Sequence, residues 1–346
     1  EPFEAIKHLF EPVVTKSIEA TKAADFPRLV EVLKQVSKED PSIKIEINEE
    51  TGENLMSGMG ELHLEIIENR IIKEKGLQVK TSEPIVVYRE TVLKKSIEFE
   101  GKSPNKHNKF YIQVEPLEDE VYKLIKSGDI PEVRIKKKDN TVLEGLIKAG
   151  YDNKYAKNVK DIFNSNMLVD ATRGIVHIGE VLEMVLDSFE QVMKEGPLSR
   201  EPCMKVKVIV NDMKLHEDAI HRGPAQVLPA VRDALKDAMR NAGTYIFEPL
   251  QVIQIESPIE YMGAISKLVQ NKRGYLLNMD QQGEHVTITA KMPVAEMFGL
   301  TSELRSGTEG RGNFYVVDQL FEKLPTQMQE EVVKKIRQRK GLAENQ

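Results

Sequence analysis

The feature that most constrains this fold is a strand that passes through a polar loop directly into a helix. Alternate residues from 204 to 210 are apolar, which predicts a β-strand. After the loop, apolar residues recur at helical spacing between positions 227 and 242, and Gly243 then provides a helix stop. The loop is therefore expected to be held at both ends by regular structure.

The residues of this loop suit a negatively charged partner. It contains His216 and His221, and Pro224 occupies the position of a first helical residue. The free N–H groups and the positive dipole end of a helix start favour anions, of which phosphate is the usual one. With Arg222 and Lys214 nearby, the loop is a candidate site for phosphates and unstacked bases. The alternative is that both histidines are ordinary solvated loop residues.

Length and composition limit the function classes. A chain of 346 residues suggests two or three domains. The single cysteine, Cys203, excludes an intramolecular disulfide and suits a reducing cytosol. Apolar runs fall short of the roughly 18 residues that a membrane helix needs. The net charge of −6 argues against a general nucleic-acid binder, so any RNA contact is expected to be local.

Periodicity predicts the same order of elements near both ends of the chain. The element order predicted for residues 13–81 and for residues 250–317 is β-α-β-β-α-β, which is that of the split βαβ or ferredoxin-like unit. The first of these segments is expected to turn at 50–52. Asp25 is expected to cap the first helix, and helices are expected at 258–270 and 293–304. A larger αβ segment lies between the two units, and its clearest element is a helix at 178–193. A final helix at 326–339 is basic.

Other motifs suggest chemistry less strongly. Gly101, Lys102 and Ser103 resemble the end of a phosphate-binding loop, but position 96 is Ser where that motif requires Gly. The turn at residues 58–63, GMGELH, is interpreted as a tight strand-to-helix connection. The basic stretch of Arg134 with residues 136–138 is interpreted as solvated surface. The C-terminal basic cluster suits either the phosphates of an RNA or its own helix dipole.

Two short runs resemble one protein family. Residues 215–226, LHEDAIHRGPAQ, resemble the tip loop of the elongation factor 2 family, and residues 103–108, SPNKHN, resemble a motif of the same family domain. Further resemblance covers residues 25–39, 58–64, 83–90 and 273–300. Where eukaryotic members carry a run of glycines, Gly223 is followed here by Pro224 and Ala225, which favours the archaeal branch.

The resemblance implies an α+β fold corresponding to the third, fourth and fifth domains of that family. A ferredoxin-like domain is expected at residues 1–83. A larger βαβ-rich domain, similar to the ribosomal protein S5 domain 2-like fold, is expected at 84–249, and a second ferredoxin-like domain at 250–323. A basic helix at 324–346 is expected to return to the middle domain.

The resemblance also implies a function. It indicates the ribosome-binding part of a translocation factor, whose tip enters the decoding site and supports GTP-dependent movement of tRNA and mRNA. His221 matches the histidine that the family converts to diphthamide. No catalytic residue is expected. Contacts with decoding-site RNA are expected from six residues: Lys106, His107, His216, Asp218, His221 and Arg222.

Expected partners and cofactors follow from the same resemblance. The partners are the ribosome, ribosomal RNA and the tRNA–mRNA complex, with diphthamide-synthesis enzymes and ADP-ribosylating toxins acting on His221, and no membrane. The chain is expected to hold no metal or cofactor and not to be an enzyme, because GTP and Mg²⁺ would bind in a front half that it lacks. A cytoplasmic location is expected.

Two other classes of function remain open. One is a small transferase or hydrolase that uses His221 as a base, although no obvious nucleophile or paired carboxylate accompanies it. The other is a stand-alone RNA-binding protein. A zinc site formed by His216 and His221 with Asp212 or Asp218 is a weaker possibility, because the spacing matches no strong zinc signature.

Overall fold

The structure is a computed structural model that describes residues 11–47, 54–135, 141–173 and 178–343. The turn expected at 50–52 and the basic positions 136–138 lie outside the described residues.

The first segment has the expected ferredoxin-like order. Its elements are β1 (Val14–Ala20), α1 (Phe26–Glu39), β2 (Lys44–Ile47), β3 (Asn54–Gly58), α2 (Glu61–Lys73), β4 (Val79–Thr81) and β5 (Ile85–Val86). The strands form an antiparallel sheet in the order β2-β3-β1-β4, with β5 beside β1. Leu29, Leu33, Leu64 and Ile67 pack from the two helices into the core. Asp25 occupies the N-cap position of α1, but its side chain makes no capping hydrogen bond, so that detail of the prediction is wrong.

The middle segment is a mixed sheet with helices on both faces. Its elements are β6 (Arg89–Val92), β7 (Phe99–Lys102), β8 (Lys109–Pro116), α3 (Asp119–Lys126), α4 (Thr141–Lys148), α5 (Asn153–Ala156), β9 (Val159–Phe163), β10 (Asn166–Asp170), α6 (Ile178–Lys194), β11 (Val206–Lys214) and α7 (Pro224–Asn241). The sheet order is β7-β8-β11-β10-β9, and β10 and β11 are parallel. Helices α6 and α7 cover one face, and α3, α4 and α5 contribute to the core on the other.

Strand β11 is buried on both faces, which its alternating sequence did not predict. Val206 and Val208 face the core that includes α6 and α7, whereas Ile209 packs into the core on the opposite face. Lys207 shares that side and is itself buried. Its ammonium group forms an ion pair with Glu115 at 2.6 Å and a second with Glu118. The lysine thus lies at the edge of a core rather than on a solvated face.

The last segment repeats the ferredoxin-like order. Its elements are β12 (Thr244–Pro258), α8 (Met262–Asn271), β13 (Tyr275–Gln282), β14 (His285–Pro293), α9 (Leu300–Gly307), β15 (Asn313–Lys323) and the terminal α10 (Thr326–Arg339). The sheet order β13-β14-β12-β15 matches that of the first segment. The helix expected from 258 begins at Met262, because β12 continues to Pro258 and a 3₁₀ turn follows. The helix expected from 293 likewise begins only at Leu300, after another 3₁₀ turn.

The chain forms two compact units. One comprises Glu1–Tyr88 with Glu248–Glu322, and the other comprises Arg89–Phe247 with Lys323–Gln346. Position 249 lies within the continuous strand β12. The domain boundaries at 83, 249 and 323 therefore remain predictions.

Helix α10 belongs to the second unit and contacts the segment that follows α6. Arg337 Nη1 donates to the carbonyl oxygen of Leu198 at 2.7 Å, and Lys340 forms an ion pair with Glu201 at 2.7 Å. Some of the basic side chains at the end of α10 therefore fasten this helix to its own unit. Among the described helices, none has the length and apolar character that crossing a membrane requires.

Candidate functional site

The candidate loop lies between two well-packed elements. Strand β11 continues to Lys214, and α7 begins at Pro224 with Gly223 as its N-cap, as the position of the proline predicts. Both elements contribute to one buried cluster, through Met213 on the strand and Val227 on the helix. We call residues 215–223 the tip loop. Its two ends are fixed by the core, so its conformation depends on contacts within the loop and with its neighbours.

Three imidazole rings meet at the tip loop. The ring centroids of His216 and His221 are 4.5 Å apart, and the ring of His107 lies 4.9 Å from the first and 4.8 Å from the second. His107 is exposed, and the other two are partly exposed. The structure therefore joins two histidines from one loop with a third from a distant part of the sequence.

The tip loop has its own hydrogen bonds. The carboxylate of Asp218 caps the 3₁₀ turn Ala219–His221 by accepting from the N–H of Ile220 at 3.1 Å. The N–H of Asp218 donates to Nδ1 of His216 at 3.1 Å. In the neutral ring, this contact leaves the proton on Nε2. Asp218 is exposed, and Ile220 is 79% exposed at the outermost turn.

Arg222 lies inside the tip loop, although it is predicted to contact phosphate. The residue is 4% exposed. Its Nη1 donates to the carbonyl oxygen of Glu217 at 2.7 Å and also to that of His216. A guanidinium group offers several donors in a fixed plane, so it can bridge successive carbonyl groups of a tight loop. In this conformation Arg222 braces the loop, and its contact with RNA stays a prediction.

A second loop, residues 103–108, supports the first; we call it the support loop. The Asn108 side chain lies between the two loops, with Nδ2 donating to the carbonyl oxygen of His221 at 2.7 Å and Oδ1 accepting from the N–H of His216 at 3.0 Å. Asn105 Nδ2 also donates to that His221 carbonyl, at 3.2 Å. Asn108 is fully buried, and its own N–H donates to Ser103 Oγ. The similarity of this run to a family motif was visible in the sequence, but its structural role was not.

Lys106 turns the support loop outward. Its φ angle is +63°, in the left-handed region that residues other than glycine rarely adopt. Its N–H donates to the carbonyl oxygen of Ser103 at 2.7 Å, and its side chain is exposed beside the exposed His107. Such strain is retained where the surrounding structure requires it, and it is common at functional sites.

Gly101 has a packing role in place of the phosphate-loop role that its sequence suggests. A Cβ atom at this position would lie 2.2 Å from the carbonyl oxygen of Ala230 and 2.9 Å from the Cβ of Ala234. Strand β7 can therefore approach helix α7 closely only because residue 101 has no side chain. This contact stiffens the part of the unit that carries both loops.

The GMGELH turn lies in the other unit and has structural contacts. The Nε2 atom of His63 lies 2.9 Å from the Asp40 carboxylate, and its Nδ1 accepts from the N–H of Met59 at 3.2 Å. Burial alone would raise the pKa of Asp40, but hydrogen bonds from Ser42 and His63 hold it below its ordinary value. Within the described ranges, no three His, Cys, Asp or Glu side chains converge as metal ligands do.

Comparison with known proteins agrees with this arrangement. Three family sequence models match: Elongation Factor G, domain III, at residues 9–83; Elongation factor G, domain IV, at 128–243; and Elongation factor G C-terminus at 245–332. Elongation factor 2 of Nanoarchaeum equitans is 50% identical over 346 residues, which cover 99% of this chain and 46% of that protein. This chain belongs to the elongation factor 2 family.

Other members of the family give the same result. Elongation factor 2 of Methanocaldococcus jannaschii is 51% identical over 344 residues, which cover 99% of this chain and 47% of that protein. That of Pyrococcus furiosus is 49% identical over 345 residues, which cover 100% and 47%. The chain thus spans about half the length of these relatives. The predicted membership of the elongation factor 2 family and the predicted α+β fold are confirmed, and the small transferase or hydrolase is not favoured. Membership of the archaeal branch stays a prediction.

Proposed function

We propose that this chain is the ribosome-engaging part of a translocation factor and that its tip loop contacts RNA at the decoding site during movement of tRNA and mRNA. The observation that carries the proposal is the placement of His221. Its imidazole is partly exposed at the end of the strand–loop–helix, while its backbone carbonyl is held from behind by Asn105 and Asn108. A fixed backbone with an accessible ring suits contact with a partner more than a packing role.

The proposed mechanism is steric and electrostatic. The rings of His107, His216 and His221 give a compact surface on which bases can stack, and the exposed Lys106 supplies a charge for phosphate. Arg222 keeps the loop in shape by binding its carbonyl groups. A tip loop that occupies the decoding site behind the moving tRNA–mRNA complex would disfavour backward movement. The effect is a shift in the populations of the forward and backward positions.

The nucleotide binding of the full-length factor and the modification of His221 are also proposals for this chain. We propose that GTP and Mg²⁺ bind elsewhere in the full-length factor, since the matched families here are domains III, IV and the C-terminus. His221 is proposed as the substrate of diphthamide-synthesis enzymes and, once modified, of ADP-ribosylating toxins. All these partners suit a cytoplasmic protein.

A crosslinking experiment tests the proposal. Ile220 is 79% exposed at the tip, so a photoreactive amino acid there should not disturb the core. Inserted into a full-length factor bound to ribosomes, it should crosslink to small-subunit ribosomal RNA, mRNA or tRNA near the codon. The same amino acid at Lys34, exposed on α1 of the other unit, is the control. Crosslinks from Ile220 that are absent or equal to the control would contradict the proposal.

A further inference from the structure

A second cationic surface lies on the second unit, away from the tip loop. Arg232, Lys236 and Arg240 follow each other at four-residue intervals along the C-terminal two-thirds of α7. Residues at this spacing share one face of a helix and lie about 6 Å apart along its axis. Asp233 pairs with Arg232 at 3.3 Å, and Asp237 pairs with Arg240 at 2.9 Å.

The segment after α6 adds a fourth cation to this stripe. Arg200 is exposed and has a φ angle of +54°, so its backbone is held in an unusual conformation. The holding group is Glu90, a buried carboxylate that accepts hydrogen bonds from the N–H groups of Leu198, Ser199 and Glu201 at 2.7 to 3.1 Å. Arg200 is thus presented by a fixed loop.

The end of α10 extends the surface further. Lys340 Nζ donates to the carbonyl oxygen of Arg200 at 2.6 Å. Arg339 and Lys340 both pair with the buried carboxylate of Glu201, at 3.3 and 2.7 Å. Six cations from three separate segments lie near four carboxylates, those of Asp233, Asp237, Glu201 and the buried Glu90. This surface therefore carries more basic than acidic groups, in a chain whose net charge is −6.

Lys236 lies at the centre of this crowding. Its partial burial, followed by the positive charges of Arg232, Arg200 and Arg240, lowers its pKa. In the described part of the chain, no carboxylate lies within ion-pair distance of its ammonium group. Like charges held together in this way cost free energy unless an anion joins them.

We propose that Arg200, Arg232, Lys236 and Arg240, with Arg339 and Lys340 at the edge, bind consecutive phosphates of a ribosomal RNA strand. The inference rests on the proposed function, to which it adds a second RNA contact behind the tip loop. The regular spacing favours RNA over an acidic protein surface, because cations repeated about 6 Å apart can each meet a charge of a backbone that carries phosphates at regular intervals. Guanidinium groups also bind phosphate oxygens in pairs.

Salt dependence tests this surface directly. Removing one cation that binds a phosphate should reduce the slope of log Kd against log salt by about 0.7 to 0.9. Lys236→Gln and Arg200→Gln should each produce that change in binding of the chain to intact ribosomes, and Lys236→Arg should keep the wild-type slope. The matched control is Lys123→Gln, since Lys123 lies exposed on α3 of the same unit and pairs with Glu120. Unchanged slopes in the two test variants would overturn the proposal.

A second arm identifies the kind of partner. The same titration on protein-free ribosomal RNA should show the same reduction of slope for Lys236→Gln. A reduction on intact ribosomes that disappears on protein-free RNA would assign the surface to an acidic protein and overturn the RNA proposal. Thermal unfolding at a temperature like that of the control checks that each variant folds. The result does not depend on the tip loop. Lys236→Gln should reduce the salt slope by the same amount in a chain that also carries His221→Ala, whether or not the tip loop contacts RNA.

Discussion

The side-chain amide of Asn108 donates to the backbone carbonyl of His221 across 2.7 Å, joining two residues that are 113 positions apart in sequence. The same amide accepts the N–H of His216, so one buried group fixes both histidines of the tip loop. The imidazole of His221 is left partly exposed. The loop is therefore rigid at its backbone and accessible at its side chains.

Asn108→Ala tests this support. The substitution removes a buried donor and a buried acceptor, so two backbone groups lose the partners that Asn108 provides. The free energy of unfolding of the second unit should therefore fall by roughly 2 to 3 kcal/mol. Amide hydrogen exchange at His216 should accelerate more than exchange in β11. The control is Asn69→Ala, because Asn69 is exposed and its side-chain amide donates to the carbonyl oxygen of Glu65 in the same helix. Equal exchange at His216 in wild type and Asn108→Ala would contradict the support role.

Gly101→Ala tests the close packing of β7 on α7. The added methyl carbon would lie 2.2 Å from the Ala230 carbonyl oxygen, so the strand or the helix must move. Overpacking of this kind should reduce the unfolding free energy by about 2 to 4 kcal/mol. Gly179→Ala in α6 is the matched control, because a Cβ atom added there would have no neighbouring atom within 4 Å and alanine is the better helix former. Denaturant titration should separate the two; equal stabilities would disprove the packing argument.

Lys106→Gly separates strain from charge at the support loop. Glycine relieves the left-handed backbone at φ +63°, so stability should rise by about 1 kcal/mol. Loss of the ammonium group should at the same time weaken binding to ribosomal RNA. Lys102→Gly on the neighbouring strand β7 should instead lower stability, since a strand gains nothing from glycine's freedom. A Lys106→Gly variant that is less stable than wild type would show that the conformation is not strained.

Asp161→Asn tests a buried carboxyl group away from the loops. Desolvation, reinforced by the nearby charge of Glu190, raises the pKa of Asp161 to about 7. Because the folded pKa lies above the unfolded value of 3.8, the contribution to stability is fully present below that value and is lost as pH rises towards 7. The free energy of unfolding of the wild type should therefore fall by a few kcal/mol between about pH 4 and 7. That of Asp161→Asn should not show this decrease. Hydrogen exchange of β9 amides across this range measures it; parallel pH profiles would contradict the assignment.

Local sequence patterns predicted many of the helices and strands, because hydrophobic periodicity and helix-terminal residues act over a few neighbouring positions. Helix α10 has the expected bounds, and Pro224 begins α7 as its fixed φ angle suggests. The strand predicted at 204–210 is observed at Val206–Lys214, so its first two residues and its end were wrong. Its burial on both faces depends on α3 to α5, which lie far away in sequence. An alternating pattern predicts that Lys207 faces solvent. The residue is instead buried, because Glu115 and Glu118 from another segment neutralise its charge.

The candidate site shows the same division. Motif resemblance identified the six proposed contact residues, and the structure brings three of them, His107, His216 and His221, together as adjoining rings. Sequence did not reveal that Arg222 turns inward or that Asn108 joins the two loops. Both roles depend on hydrogen bonds to backbone carbonyls, which leave no periodic trace in a sequence. The SPNKHN resemblance was the one available signal for Asn108.

The most direct test of the account is reading-frame maintenance by a full-length factor that carries His221→Ala within this chain. The substitution removes the accessible ring and leaves the carbonyl that Asn108 holds, so unfolding should be unchanged within about 0.5 kcal/mol. A dual-reporter assay of −1 and +1 frameshifting, compared with His285→Ala in the other unit, should show more slippage for His221→Ala alone. Frameshifting equal to wild type, with ribosome binding intact, would contradict the claim that the tip loop acts at the decoding site.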